Sequence, residues 1–478
     1  MRKIYYFALA AVLMLGFVAW LYRFNNPIAD WHSWRQADTS AVSRNFVNSG
    51  FDVLHPRFDD LSNVPSGVDN PQGYRFVEFP FYNIAQAGVY KLFGHLTLEE
   101  WGRLITIFSS VATSLLIFLI LKHHQKIKAG LLGAFFFSLL PFSIYYGRTI
   151  LPDPSTAMVI LAAIYSFDLW TDKARNRYFA ASLFLTAVAL LLKPFAVFFA
   201  LPITYLFFDK FGWKFLKKWQ LWVFGVLSVS PLLAWRVWMS QFPEGIPFSA
   251  WLFNDGNIRF KGAYFYWIFG ERIGKLISGY FGVSLLTLGL ISKFKSNREL
   301  VFFYSFVVSS FAYMVVVARG NVQHDYYQIL IMPTIAIFMG LGAAFLLDSV
   351  KTFTNKFIGP ILFLFLTFLT LILSWYYIRD YFNINNPSIV LAGQAVDRLT
   401  PKDAKVIANY DGDTSFLYQT KRKGWASYEH TAPEMVKLGA DYLVDVNPSS
   451  SDFDYAKGYK IIDRASDYVI FDLRQEAQ

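Results

Sequence analysis

Eleven apolar runs punctuate this 478-residue chain, at 4–21, 104–121, 129–145, 155–170, 178–192, 194–208, 220–239, 276–292, 300–318, 328–347 and 357–378. Each is close to the roughly twenty residues that a bilayer's hydrocarbon core demands of a helix. Charged residues are 16% of the chain and hydrophobic ones 55%, where a soluble domain carries roughly 25% charge. The pattern predicts a polytopic α-helical membrane protein with about 11 transmembrane helices.

Charge alternates between the runs. With the N-terminus in the cytoplasm, the inner connections are Arg2-Lys3 and residues 122–128, 173–177, 210–218, 293–298 and 351–356, and every one is basic. Lysine and arginine near helix ends resist translocation, so this alternation sets an orientation. Most of the net charge of +10 belongs to these clusters, which reads as topology rather than nucleic-acid binding. The first run ends in Trp20-Leu21-Tyr22-Arg23, without the small-x-small pattern of a cleavage site, and is expected to be a retained anchor. The chain has no cysteine, which excludes disulfides and a thiol nucleophile. It shows no long repeat, inverted or direct.

Beyond residue 380 the spanning pattern stops. Strand-like runs at 405–409, 441–445, 459–462 and 468–471 alternate with helical stretches such as 433–438, the order of a small α/β domain. The expected division is a membrane domain at 1–380, with a first outer loop at about 23–101, and a second domain at 381–478. After eleven crossings the second domain lies on the outer face.

Polar residues on the two sides differ. The outer loops carry acids (Asp38, Glu78, Asp153), cations (Arg35, Arg148, Lys193) and a set of aromatic and amide groups (Gln36, Tyr82, His324, Tyr326, Tyr327, Gln328). They form one candidate site. An ionisable group at membrane depth is costly and functional by default. Each residue also has a plainer reading: Asp38 pairing with Arg35 or Arg44, Asp153 capping a helix between Pro152 and Pro154, the cations snorkelling, the tyrosines forming an interfacial belt. His123-His124 sits in a basic inner loop and marks topology rather than a metal. No Walker A loop, H-E-x-x-H or G-x-S-x-G is present.

Three elements in this order resemble the GT-C superfamily of polytopic glycosyltransferases, in particular the bacterial branch related to protein O-mannosyltransferases and the aminoarabinose transferase of lipid A (glycosyltransferase family 39-like). They are the first-loop acid Asp38, the x-R-x-x-x-P-D/E turn from Arg148 to Asp153, and the H-x-Y-Y-x-x-x-x-P stretch from His324 to Pro333. The resemblance spans roughly residues 1–380. It implies an inverting transfer of a sugar from a polyprenyl-phosphate donor to the hydroxyl of a glycan, lipid or protein acceptor, at the outer face of the cytoplasmic membrane. Asp38 is then the general base and Asp153 a second acid that orients acceptor or base. Glu78 assists Asp38, binds the acceptor or anchors the loop. Relatives often carry a basic residue or histidine before a Pro-Pro pair late in the first loop, whereas this chain has Glu78-Phe79-Pro80-Phe81. Phosphate binding therefore falls to Arg148, Lys193 or Arg35. Some superfamily members use a divalent metal and others do not, which leaves Asp38 and Asp153 open as ligands; no other cofactor is implied. Two competing classes are a transporter or flippase of lipid-linked glycans, which predicts Gly/Pro-broken helices, and an outer-face binding subunit built on the C-terminal domain, where residues 421–425 read equally as a solvated face.

Overall fold

The computed structural model describes residues 2–348 and 356–476. The chain folds as two compact units, each assembled from separated stretches: Met1–Phe24, Leu104–Trp235 and Ser249–Asp380 in one, and Asn25–Arg103, Arg236–Phe248 and Tyr381–Gln478 in the other.

Each of the eleven apolar runs is helical over most of its length. The count of long spans is lower than eleven. Among the described residues seven helices are long and apolar enough to cross a membrane: Lys3–Trp20, Leu98–His123, Pro194–Lys217, Trp219–Met239, Asn297–Val316, Asp325–Asp348 and Ile358–Leu399. Gly262–Ile277 and Gly282–Leu290, bent by 115° where they meet, make an eighth if they form one span. The remaining runs are cut short for identifiable reasons. Pro141 starts a new short helix and ends Ile127–Leu139 at 13 residues, since a proline has no N–H to give the helix before it. Lys193-Pro194 ends Asn176–Leu192 at 17 residues. Pro152–Lys173 has the length, 22 residues, but contains Asp153, Asp168 and Asp172. Residues 351–355 of the last basic inner connection lie outside the described residues.

Helices of the first unit approach through glycines. A Cβ on Gly342 or Gly289 would overlap the carbonyl oxygen of Leu285 or Phe338 respectively, and one on Gly340 would come within 2.5 Å of the Ala129 carbonyl. Small residues replace the hydrophobic drive that helices in lipid lack, because they let backbones touch. The basic connections meet one another, as the charge pattern predicts: Lys126 faces Glu299 at 3.6 Å, Lys128 faces Asp348 at 2.7 Å, and Arg298 faces both Asp172 and Asp209. His123 and His124 join this set, each 2.9 Å from an aspartate, Asp172 and Asp168.

The C-terminal segment forms a five-stranded sheet of β1 (Lys405–Ala408), β2 (Lys423–Trp425), β3 (Tyr442–Val446), β4 (Tyr459–Arg464) and β5 (Tyr468–Glu476), in the order β2-β1-β3-β5-β4. β1 is parallel to β2 and β3, while β5 runs antiparallel to β3 and β4. Strand alternation divides the side chains between two cores. Val406, Ala408, Val444 and Ile470 pack with Ile389, Val396, Phe416 and Leu417 on one face; Ile407, Leu443, Val469 and Phe471 pack with Leu61, Trp425 and Met435 on the other. Stretch 421–425, read from the sequence as equally a solvated face, is instead largely interior. Arg422 is 2% exposed, and its guanidinium bonds Asp397 and the carbonyls of Thr400 and Pro401. The edge of β2 is not left open: Gly424 accepts from the Leu61 amide and donates to the Asp59 carbonyl. The first outer loop and the C-terminal segment thus share one unit.

Candidate active site

In the second unit, helix Ser33–Ser49 carries Arg35, Gln36 and Asp38. A helix at a lipid interface shows one apolar face, but this one is buried almost all round, from Ser33 through Ser43 with only Trp34 partly exposed. Its polar groups must therefore find partners inside the protein. Asp38, 3% exposed, accepts from Arg75 Nη2 at 2.5 Å on one oxygen and from Thr414 Oγ1 at 2.7 Å on the other. Neither Arg35 nor Arg44, the partners its sequence neighbourhood suggests, is the one that holds it. Arg35 forks onto Glu78 at 2.7 and 2.9 Å, and Arg44 pairs with Asp59. Glu78 is thereby tied to Arg35. Gln36 donates to Asp30 at 2.9 Å, and the Tyr82 hydroxyl donates to the Gly102 carbonyl at 2.7 Å.

Two more acids flank Asp38. Asp59 holds Arg44 and Asn45. Asp60, 1% exposed, is pushed up to about 7 because burial penalises its charge; the Ser62 donors pull it down and the neighbouring Asp38 pushes it further up. A small cavity lies along Asp38, Asp60, Phe58, Thr414 and Tyr418.

In the first unit the outer turns also meet. Pro152 opens helix Pro152–Lys173 and sets Asp153 in its first turn, where the helix dipole favours a carboxylate. Asp153 is fully buried and forms an ion pair with Lys193, itself 5% exposed. The Lys193 ammonium also lies 5.6 and 5.1 Å from the ring centres of Tyr326 and Tyr327, within cation–π range. Next to them, Tyr146 donates to Asp325 at 2.5 Å, and Arg272 sits 3.9 Å from the same acid and bonds the Val322 carbonyl at 2.7 Å. Arg272 comes from the π-helical Tyr266–Ile277, a distortion often found at functional sites. His324 stacks on Tyr326 and Tyr327, and Gln328 donates to Asn321. Arg148, fully buried, lies over the Tyr145 ring at 5.4 Å.

The predicted residues thus divide between the units, Arg35, Gln36, Asp38, Glu78 and Tyr82 in one and Arg148, Asp153, Lys193, His324, Tyr326, Tyr327 and Gln328 in the other; of these, Lys193 is brought together with Asp153, Tyr326 and Tyr327 and Arg35 with Glu78. Arg75, Thr414, Asp60, Arg272 and Asp325 belong beside them and were not singled out by the sequence. Metal binding suits neither predicted acid as it stands. A divalent ion needs converging oxygens, whereas Asp38 and Asp153 each face a cation. Among the described residues the one group of three ligand-type side chains in metal-holding proximity is Asp69, Glu429 and His430, with Asp69 and His430 exposed.

Comparison with known proteins agrees with this architecture. Residues 76–238 match the family of dolichyl-phosphate-mannose-protein mannosyltransferases. The crystal structure of ArnT from Cupriavidus metallidurans bound to undecaprenyl phosphate superimposes with a TM-score of 0.68 at 12% identity, covering 97% of both chains. An Archaeoglobus fulgidus oligosaccharyltransferase complexed with Zn and sulfate matches at 0.58 and 12% identity, over 93% of this chain and 69% of that one. The same archaeal enzyme has also been solved with an inhibitory peptide and a dolichol-phosphate, at a TM-score of 0.55 and 11% identity, over 95% of this chain and 72% of that one. No curated protein matches by sequence.

Proposed function

We propose that this multi-pass membrane protein, whose fold is that of the GT-C glycosyltransferases it superimposes on, moves a sugar, with inversion, from a polyprenyl-phosphate donor to an acceptor hydroxyl at the outer face of the cytoplasmic membrane. The observation that carries this reading is Asp38: a carboxylate 3% exposed on a helix buried almost all round, held on both oxygens by donors. A carboxylate has roughly four lone-pair sites, so two remain to receive a proton. Asp38 takes the proton of the acceptor hydroxyl as its oxygen bonds to the anomeric carbon and the carbon–phosphate oxygen bond breaks. General-base help of this kind is worth about 100- to 10,000-fold. The departing polyprenyl phosphate carries the bond's electron pair, a charge that a cation must offset. Within the first unit Asp153 sets Lys193 in place, and the rings of Tyr326 and Tyr327 lie within reach of its ammonium. No step is routed through a metal, because the acids involved already face cations.

The test is transfer by purified protein in detergent, with no membrane gradient, using as donor the polyprenyl-phosphate sugar fraction of a strain lacking the chain. Asp38→Asn is expected to lose at least about 100-fold in rate while remaining folded. Full activity in that variant removes Asp38 as base. The broken pair Gly262–Ile277 and Gly282–Leu290, with the runs cut at Pro141 and Pro194, favours a flippase instead. Lipid movement across vesicles without sugar transfer in detergent would establish that second reading.

A further inference from the structure

The base assigned above is not set by the first outer loop alone. Thr414 lies 376 positions away in sequence, at the start of helix Thr414–Thr420, yet its hydroxyl is 2.7 Å from Asp38 Oδ1. That helix is fixed in direction at its first turn, where the Asp413 side chain accepts from the Ser415 amide at 2.8 Å. It is laid along helix Ser33–Ser49 by several further bonds: Gln419 donates to the Ile28 carbonyl at 2.8 Å, Arg44 donates to the Tyr418 carbonyl at 3.1 Å, and the Tyr418 hydroxyl donates to Glu99. Four hydrogen bonds therefore fix the helix that presents Thr414 to one oxygen of the carboxylate, and Arg75 holds the other oxygen. Donors on both oxygens fix the plane of a carboxylate as well as its position, and a base must be aimed to within a fraction of an ångström. We infer that Thr414 is a positioning residue for Asp38, which makes the C-terminal α/β segment a working part of the transfer machinery and not an appended module.

This rests on the reading of Asp38 as the base, so the two are separated in one experiment. Full-length Thr414→Val, Thr414→Ser, Met435→Ala and Asp38→Asn are purified and assayed with vesicles of membranes from a strain lacking the chain, which supply donor and acceptor. Thr414→Val keeps the volume and removes the hydroxyl; it is expected to lower kcat by about 10- to 100-fold with the donor KM within about twofold. Thr414→Ser, which restores a hydroxyl, recovers most of the rate. Met435→Ala opens the other core of the C-terminal sheet, away from helix Thr414–Thr420; it lowers the melting temperature and leaves kcat unchanged. A wild-type kcat in Thr414→Val overturns the inference, as does a serine variant as slow as the valine one, or a Met435→Ala that loses kcat to the same degree. If Asp38→Asn itself transfers at full rate, the assignment of the base falls instead.

Discussion

Removing the ammonium of Lys193 is the sharpest test of the first-unit cluster. Asp153 is fully buried and Lys193 is 5% exposed, so both charges are out of water. Taking away one partner of such a pair leaves the other as an uncompensated buried charge, at a cost of about 3–5 kcal/mol. Lys193→Met keeps the length of the side chain and drops the charge. It also forfeits the contacts with the Tyr326 and Tyr327 rings, worth about 0.5–1 kcal/mol each. Asp153→Leu alone leaves the Lys193 ammonium buried without its carboxylate and should cost a similar amount. In Lys193→Met with Asp153→Leu both charges are gone, and replacing a buried pair by apolar groups is often neutral. The double variant should therefore recover at least about 2 kcal/mol relative to the sum of the singles, a coupling of the size seen for directly interacting groups. Thermal unfolding in detergent reads this out as a drop of roughly 5–10 °C for Lys193→Met and a smaller one for the double variant. Transfer assays on the single variants add a functional arm: a shared rise in donor KM follows if Asp153 acts by setting Lys193. Single variants within about 1 kcal/mol of wild type, and additive in combination, would show that the pair is not a desolvated contact.

Other expectations follow from the same reasoning. Asp60 is raised from 3.8 to about 7 by burial, so between those values the folded state keeps a proton that the unfolded chain releases; the stability this contributes is complete below about pH 4 and lost as pH rises through about 7, at most about 4 kcal/mol in all. Asp60→Asn should flatten the fall in melting temperature between pH 5 and pH 8, only in part because Asp445, also pushed up to about 7 by burial, remains; an unchanged slope refutes the assignment. Gly342→Ala should cost about 2 kcal/mol or more, since the added methyl meets the Leu285 backbone and the helices must separate. Gly225→Ala in open space should instead stabilise by about 0.5–1 kcal/mol; equal melting temperatures for the two would contradict the packing.

Hydropathy made the helices legible because a spanning segment must satisfy its backbone internally and advertise itself by length and apolarity. It overcounted the long spans where local chemistry intervenes. Pro141 and Pro194 cut two runs, and the aspartates of Pro152–Lys173 place polar groups within a third. Basic inner connections were legible as a group, and Lys126, Lys128 and Arg298 do share one set of acidic partners with their neighbours. Period-two alternation found four of the five strands. The fifth, β2, has three residues, one of them glycine, and owes its existence to pairing with β1 and residues 59–61, which no local pattern encodes.

Candidate site residues were legible by type and turn chemistry, but their pairings were not. A buried carboxylate requires a cation or donors, so Asp38 on a buried helix announces that a partner exists. It does not announce Arg75, 37 positions on, and still less Thr414, 376 positions away. The sequence offered Arg35 and Arg44 because they are the cations nearest Asp38 along the chain, three and six positions away; in the folded chain both are claimed by acids of their own, Glu78 and Asp59. That competition is itself informative. Three arginines and three acids in one loop can pair in several ways, and the pairing adopted leaves Asp38 as the acid that shares its cation with a hydroxyl from the far end of the chain. Such an arrangement forms only once the C-terminal segment has folded onto the first loop, because one of the two donors on Asp38 comes from that segment.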